Sequence, residues 1–378
     1  MIKSGIYVHL PFCRHKCHYC DFYSLAGAED LIPHFLSALK QDINLSVASV
    51  NGWEFDSIYL GGGTPSLISA DRLEPLLKQL HSRYSFADEV ETTIEVNPGT
   101  VDEKQLRNYR AIGINRISIG AQSFLDDNLR FLTRIHDAGE SINAVKAARA
   151  AGFDDLSCDL IYGLPGQTRA AWKKELQQAV DLAPDHLSCY NLTVEAGTEL
   201  HDLVQAGKVS QPEDDTNADF FLTTVEYLDR HDYRQYEISN YARPGCESRH
   251  NLHYWRIEPY LGFGPSAHSF DGRRRWWNRN RLENYLETIA ADTPPVKGLE
   301  ILTDVELTNE RIGFGLRMRE GFNLNAIAEN HRSLVEKNLA QAQIRFGDKI
   351  NVEDKRVMLS AEGRLFAEQV AVELMIEG

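Results

Sequence analysis

The chain has 378 residues, 43% of them hydrophobic and 25% charged, so it can bury a large core. No apolar run nears the roughly 20 residues that cross a bilayer, and the opening residues carry no export signal, so a cytoplasmic protein without a transmembrane segment is expected. A formal charge of −15 argues against general nucleic-acid binding, which needs cationic surface to neutralise phosphates.

In chain order, strand-like runs at 5–11, 56–63, 92–99, 116–124, 155–165 and 186–194 alternate with helical patterns at 30–47, 69–84, 140–152 and 169–183. Strand and helix alternating at this spacing mean parallel βαβ units, closed or partial as a six-unit α/β barrel. In such barrels the chemistry sits on loops leaving the C-terminal ends of the strands. The residues found there are CRHKCHYC, GGGTP, NPG, QSF and YGLPGQT, in that order. Past residue 300 the pattern changes to helices, then two strand-like arms around a charged middle at 344–360, then a closing helix. That order is winged-helix-like, but acidic residues outnumber basic ones there, so a packing or protein-contact role is expected rather than DNA binding. The expected division is a barrel core at 1–235, a connecting region at 236–300 and a C-terminal domain at 301–378.

Cys13, Cys17 and Cys20 fall in one short loop with C-x3-C-x2-C spacing, while Cys158, Cys189 and Cys246 are scattered and read as structural. In a reducing compartment a clustered triplet reads as metal or redox ligands. A structural zinc would need a fourth ligand from His15, His18 or Asp21. An iron–sulfur cubane held by only three thiolates would leave one iron open to another molecule.

C-x3-C-x2-C after the first strand, joined to GGGTP after the second, resembles the radical S-adenosylmethionine (radical SAM) superfamily. YVHLPFCRHKCHYCDF, GGGTPS, TIEVNPGTV, NRISIGAQSF, DLIYGLPGQT and HNLHYW follow the order of its coproporphyrinogen III oxidase-like branch and cover most of the chain. The resemblance implies a partial TIM-type (βα)6 radical SAM barrel with a C-terminal α+β winged-helix-like domain. It implies a 4Fe-4S cluster on Cys13, Cys17 and Cys20, with S-adenosyl-L-methionine on the open iron. Tyr7 and Tyr19 would flank the cluster, and Gly62, Gly63 and Thr64 would take the methionyl end. Glu95, Gln122, Arg134 and Asp159 match cofactor-binding positions of the branch. Carboxylates suit ribose hydroxyls, and a guanidinium fork suits a carboxylate.

Within the branch, the true oxidase has a further cysteine two residues after the third, where this chain has Phe22, and an extension ahead of its cluster. Both departures, with HNLHYW at 250–255, are similar to the radical SAM heme chaperone family. That family implies heme as a bound partner, delivery to heme-accepting proteins, and room for peripheral contact with membrane hemoproteins. His250, His253 and Tyr254 are the implied heme residues, with the alternative that they bond loop backbone and fill the core. Cys246 is a weaker heme candidate. The arginines of GRRRWWNRNR (272–281) are read as a solvated hairpin, with pairing to heme propionates as the alternative. The rival function is a radical SAM oxidoreductase acting on a tetrapyrrole.

Overall fold

Along Ile2–Leu10 (β1), Ile6, Val8 and Leu10 alternate with Gly5, Tyr7 and His9, and a pleated strand sends the two sets to opposite faces. The same alternation recurs in Trp53–Gly62 (β2), Phe86–Val96 (β3), Arg116–Gln122 (β4), Asp155–Tyr162 (β5) and His186–Asn191 (β6). The computed structural model, which describes residues 2–46, 50 and 52–377, sets these strands side by side, all parallel. Gly5, Tyr7 and His9 lie opposite Ser57, Tyr59 and Gly61, so the polar set gathers on one face. The apolar set, including Ile58, Ile94, Ile117, Leu156 and Leu187, is buried on the other. There it packs against Ile32–Ser46 (α1), Ala70–Arg83 (α2), Glu103–Ala111 (α3), Ala138–Ala150 (α4), Arg169–Asp181 (α5) and Asp214–Asp229 (α6), through residues such as Phe35, Leu73, Tyr109, Trp172 and Phe220. Residue 47, the expected end of the first helix, lies outside the described residues, as do residues 1 and 378, the outer bounds of the expected domains.

The sheet continues past the six strands at both edges. Arg234–Gln235 (β7) and Asn240–Ala242 (β8) run antiparallel beyond β6, followed by the short helix Arg249–Trp255 (α7). At the other edge Tyr260–Phe263 (β9) pairs parallel with β1, and His268–Phe270 (β10), Arg274–Asn278 (β11) and Val296–Ile301 (β12) follow antiparallel. The order β12-β11-β10-β9-β1-β2-β3-β4-β5-β6-β8-β7 makes a twelve-stranded open sheet, a partial barrel. GRRRWWNRNR is one arm of a hairpin with β10 within this sheet, and Arg273, Arg274, Arg279 and Arg281 are exposed, as expected; Arg275 is the exception. It forks onto Glu310 with bonds of 2.8 Å and also reaches Glu300. Two such acidic partners on neighbouring elements are not visible in a linear run of arginines.

Leu282–Ala290 (α8) packs back on α1, where Tyr285 donates to the buried carboxylate of Asp42 at 2.8 Å. Beyond it, Asp304–Arg317 (α9), Glu329–Phe346 (α10) and Ala367–Leu374 (α11) enclose a second core with a small sheet of Phe322–Asn323 (β13), Ile350–Glu353 (β14) and Arg356–Leu359 (β15). The expected arms are shorter than 344–360, because α10 runs on to Phe346 and stops where Gly347 takes a φ of 59°. The hairpin between β14 and β15 turns on Asp354 and Lys355, both at positive φ, as a tight two-residue turn requires.

At the N-terminal end of the barrel the polar face closes around one guanidinium. Arg116 is 2% exposed, pairs with Asp155, donates to the Cys246 carbonyl at 3.2 Å, and feels the charge of buried Glu91. Removing one member of a buried pair strands the other, which costs about 3–5 kcal/mol. Arg116→Ala is thus expected to lower the urea midpoint by a stability loss of about 3 kcal/mol, with the slope of the transition unchanged.

Candidate functional site

Cys13 closes the run that leaves β1, and the backbone there is tied to the glycine turn after β2. Gly63 N–H donates to the Leu10 carbonyl at 2.9 Å and Thr64 N–H to the Phe12 carbonyl at 2.7 Å. The approach needs a bare α-carbon: a Cβ on Gly63 would lie 2.6 Å from the Phe12 oxygen and 3.0 Å from the Cys13 sulfur. The Thr64 hydroxyl donates to Cys13 Sγ at 3.6 Å, and Arg134 Nη1 donates to Cys17 Sγ at 3.7 Å. Cys20 N–H bonds the Cys17 carbonyl at 3.1 Å, folding the loop so that it presents both residues. The triplet, Thr64, Arg134 and Tyr19 thus come together at the C-terminal ends of the strands, with Tyr19 close enough to Arg134 and Cys17 to share their fields.

Burial pushes the Cys13 thiol up and the Cys20 thiol up to about 11, so neutral pH leaves both protonated until a metal displaces the proton. Among the described residues no three His, Cys, Asp or Glu side chains are gathered about a single metal position. A tetrahedral zinc needs four ligands around one point, whereas a cluster spreads its thiolates over several irons. The donor set fits the cluster: three free sulfurs, two of them already accepting from Thr64 and Arg134. Arg134 also has a buried Nε without a partner, a donor left over at the edge of the site.

Around the turn, Glu95 accepts from the Gly62 N–H at 3.0 Å and the Tyr59 hydroxyl at 2.9 Å. Burial holds its carboxyl up at about 7, with Asp159 adding repulsion against those two bonds. Gly62 itself sits at φ 116°, and a Cβ would strike the His9 ring at 2.6 Å. Arg134 Nη2 anchors on Asn97 Oδ1 and the Gly120 carbonyl, each at 2.9 Å, and Gln122 Nε2 lies beside the same glycine. Asp159 is deeper in the lumen, accepting from Ser118 at 3.1 Å and Ser157 at 3.3 Å. Tyr7 also lies in the lumen, its hydroxyl sharing a hydrogen bond with His9 Nδ1 at 2.9 Å. Asn97, Tyr59 and His9 were not singled out from sequence, although the two-residue alternation that places Tyr7 inside would have placed Tyr59 and His9 beside it.

HNLHYW forms α7, laid across the N-terminal half of the lumen. Ser248 caps it, and Glu91 accepts from the N–H groups of Arg249 and His250 at 3.1 and 3.3 Å, a carboxylate at a helix N-terminus. His250 is 1% exposed, and its two ring nitrogens meet Ser57 Oγ at 3.2 Å and the Tyr254 hydroxyl at 2.8 Å. It stacks on Tyr59, which in turn bonds Glu95, so the helix and the glycine turn share one chain of contacts through the lumen. His253 is clasped at 2.7 Å by Asp56 on one nitrogen and Glu258 on the other.

Burial pulls the His253 pKa down, but the two carboxylates overcome it and hold the ring up at about 9, above the usual 6.5. A histidine raised in the folded state contributes its full stability below the unfolded value and loses it as pH climbs through the folded value. Thermal or urea stability is therefore expected to fall between about pH 6.5 and 9 by on the order of 2–3 kcal/mol. In His253→Gln that decrement is absent, and the mutant's stability follows a flatter pH profile.

The Radical SAM superfamily model matches residues 7–179, the stretch that carries the cysteine loop and the first five strands. The chain is 33% identical to the heme chaperone HemW of Bacillus subtilis (strain 168), covering 98% of each chain. It is 41% identical over 306 residues to the heme chaperone HemW of Escherichia coli (strain K12), covering 77% of this chain and 80% of that one. The solved structure of the E. coli coproporphyrinogen III oxidase HemN superposes with a TM-score of 0.85 at 23% identity, covering 99% of this chain and 90% of that one, a likeness of fold. At these identities over most of both chains, the chain belongs to the HemW heme chaperone family of the radical SAM superfamily.

Proposed function

We propose that this chain takes up heme as cargo and hands it to acceptor proteins, on a barrel that also holds a 4Fe-4S cluster and S-adenosyl-L-methionine. The observation that carries the reading is the convergence of Cys13, Cys17 and Cys20 with the Gly63–Thr64 turn, in a chain whose full-length relatives are heme chaperones. When bound, the cluster supplies a redox-active iron with an open coordination position. The protein's own residues prepare the surroundings. Thr64 donates to the Cys13 sulfur and so favours its thiolate form, and Arg134 donates to the Cys17 sulfur. Arg134 keeps its unpartnered Nε for a ligand carboxylate, while Glu95 fixes the Gly62 N–H and lends an acceptor beside it. Tyr19, Gln122 and Asp159 complete the polar lining.

For the heme side we propose that HNLHYW acts as a unit. Tyr254 borders a cavity between α7 and the sheet extension, while His250 and His253 hold the helix in place through their four bonds. The barrel, the connecting strands and the C-terminal module are proposed as working parts with bounds 1–235, 236–300 and 301–378; the second hydrophobic core supports the last of these. We further place the protein in the cytoplasm, where its six free thiols would stay reduced, with membrane hemoproteins among the acceptors, reached from the surface. Among the described residues no helix is long and apolar enough to cross a membrane.

Anaerobically reconstituted protein is expected to show a Soret shift with hemin and to leave coproporphyrinogen III unchanged in the presence of S-adenosyl-L-methionine and reductant. Conversion to protoporphyrinogen would replace the chaperone with the oxidoreductase. Cys13→Ala, Cys17→Ala and Cys20→Ala should each abolish the broad visible absorbance of the cluster. Glu95→Ala should keep that absorbance yet weaken S-adenosyl-L-methionine binding in calorimetry about tenfold, roughly 1.4 kcal/mol.

A further inference from the structure

Three histidines, His9, His186 and His268, stand on the inner face of the sheet and His250 comes down on it from α7, and three of these four are spoken for. His9 bonds Tyr7 and the Tyr23 carbonyl, His186 bonds Ser157 and Tyr236, and His250 bonds Ser57 and Tyr254. The fourth, His268 on β10, is exposed, and among the described residues neither of its ring nitrogens has a hydrogen bond. Register puts it on the lumen side: Phe270 pairs with Tyr260, which leaves Gly262 opposite His268, and Gly262 pairs with Tyr7. Its ring is oriented by a neighbour, since Trp277 stacks on it at 5.9 Å between centroids and 26° between planes. Trp277 fits there because Gly298 beneath it is bare; a Cβ would come within 2.4 Å of the indole.

Beside His268 lies a cavity of about 190 Å³ walled by Tyr254, Tyr260, Phe270 and Phe314, with the Arg275–Glu310 fork at its edge. That is smaller than the roughly 300 Å³ or more of a pocket enclosing a whole drug-sized ligand, so it suits one edge of a flat aromatic ring system. Arg279 accepts a backbone bond from Ser266 at 2.9 Å, which sets it at the His268 end of the strand pair. It is exposed and has no ion-pair partner among the described residues.

We infer that His268 is the axial ligand to the iron of the heme cargo, with one macrocycle edge in the aromatic cavity beside Tyr254 and Arg279 pairing a propionate. The inference rests on the heme-carrying reading above. Imidazole is an ordinary heme-iron ligand, and it must be neutral and uncommitted to serve. Both His268 ring nitrogens are uncommitted among the described residues. His253, by contrast, is held protonated by its two carboxylates.

The test is hemin titration of the full-length, cluster-loaded protein, following the Soret band and the electron paramagnetic resonance of the ferric complex. His268→Ala is expected to weaken hemin binding at least tenfold and to remove the imidazole signature, and added imidazole should restore that signature. His268→Tyr should bind hemin with a phenolate spectrum. Wild-type affinity and spectrum in His268→Ala would overturn the assignment and leave heme carriage standing. So would a loss that imidazole does not restore. A wild-type protein without any Soret shift would overturn heme carriage itself.

Discussion

A sheet buried on both faces must solve two different problems, and everything else here follows from the inner one. The outer face is conventional: Val, Ile and Leu under helices, stabilised by removal of apolar surface from water. The inner face carries carboxylates, a guanidinium, imidazoles and phenols that have left water without an apolar reward. Each survives by pairing with another lumen group. Arg116 balances Asp155 and Glu91, Glu91 in turn caps α7, and Glu95 is held by Tyr59 and the Gly62 N–H. Such a network is costly when incomplete, because an unpaired buried charge has no solvent to fall back on.

The consequence is a lumen divided along the strand direction. Its N-terminal half is closed by α7, and its charged groups pair with one another. Its C-terminal half keeps donors and sulfurs that the protein does not fully employ, among them Arg134 Nε and the three thiols. Keeping the thiols and the Arg134 Nε at the strand ends matches the general logic of parallel barrels, where loops carry chemistry and the floor carries stability. The stack of His250 on Tyr59, and the bond from Tyr59 to Glu95, join the two halves by direct contact.

Most of the barrel was legible in the chain. Period-two alternation in β1 to β6 and the breaks at GGGTP, NPG and YGLPGQT gave the strands, their parallel sense and the end where chemistry belongs. The cysteine triplet and its glycine turn were equally plain, because their spacing is local and only a bare backbone could bring Gly63 so close to Phe12 and Cys13. The arginine-rich segment reads as a solvated hairpin and forms one, but the burial of Arg275 is not legible there, because its partners, Glu300 and Glu310, come from a later strand and helix. HNLHYW was located but its side chains were not: whether His253 is a neutral ligand or a clasped imidazolium depends on Asp56, nearly two hundred residues away in sequence.

The sequence by itself therefore determined the strand pattern, the thiol loop and the glycine turn, since each is written in neighbouring residues and enforced by backbone sterics. Tertiary structure alone decided which polar groups satisfy one another. Hydrogen bonds and ion pairs in the lumen join strands far apart in the chain, so the state of His250, His253, Glu95 and His268 is set by packing, which no local pattern records.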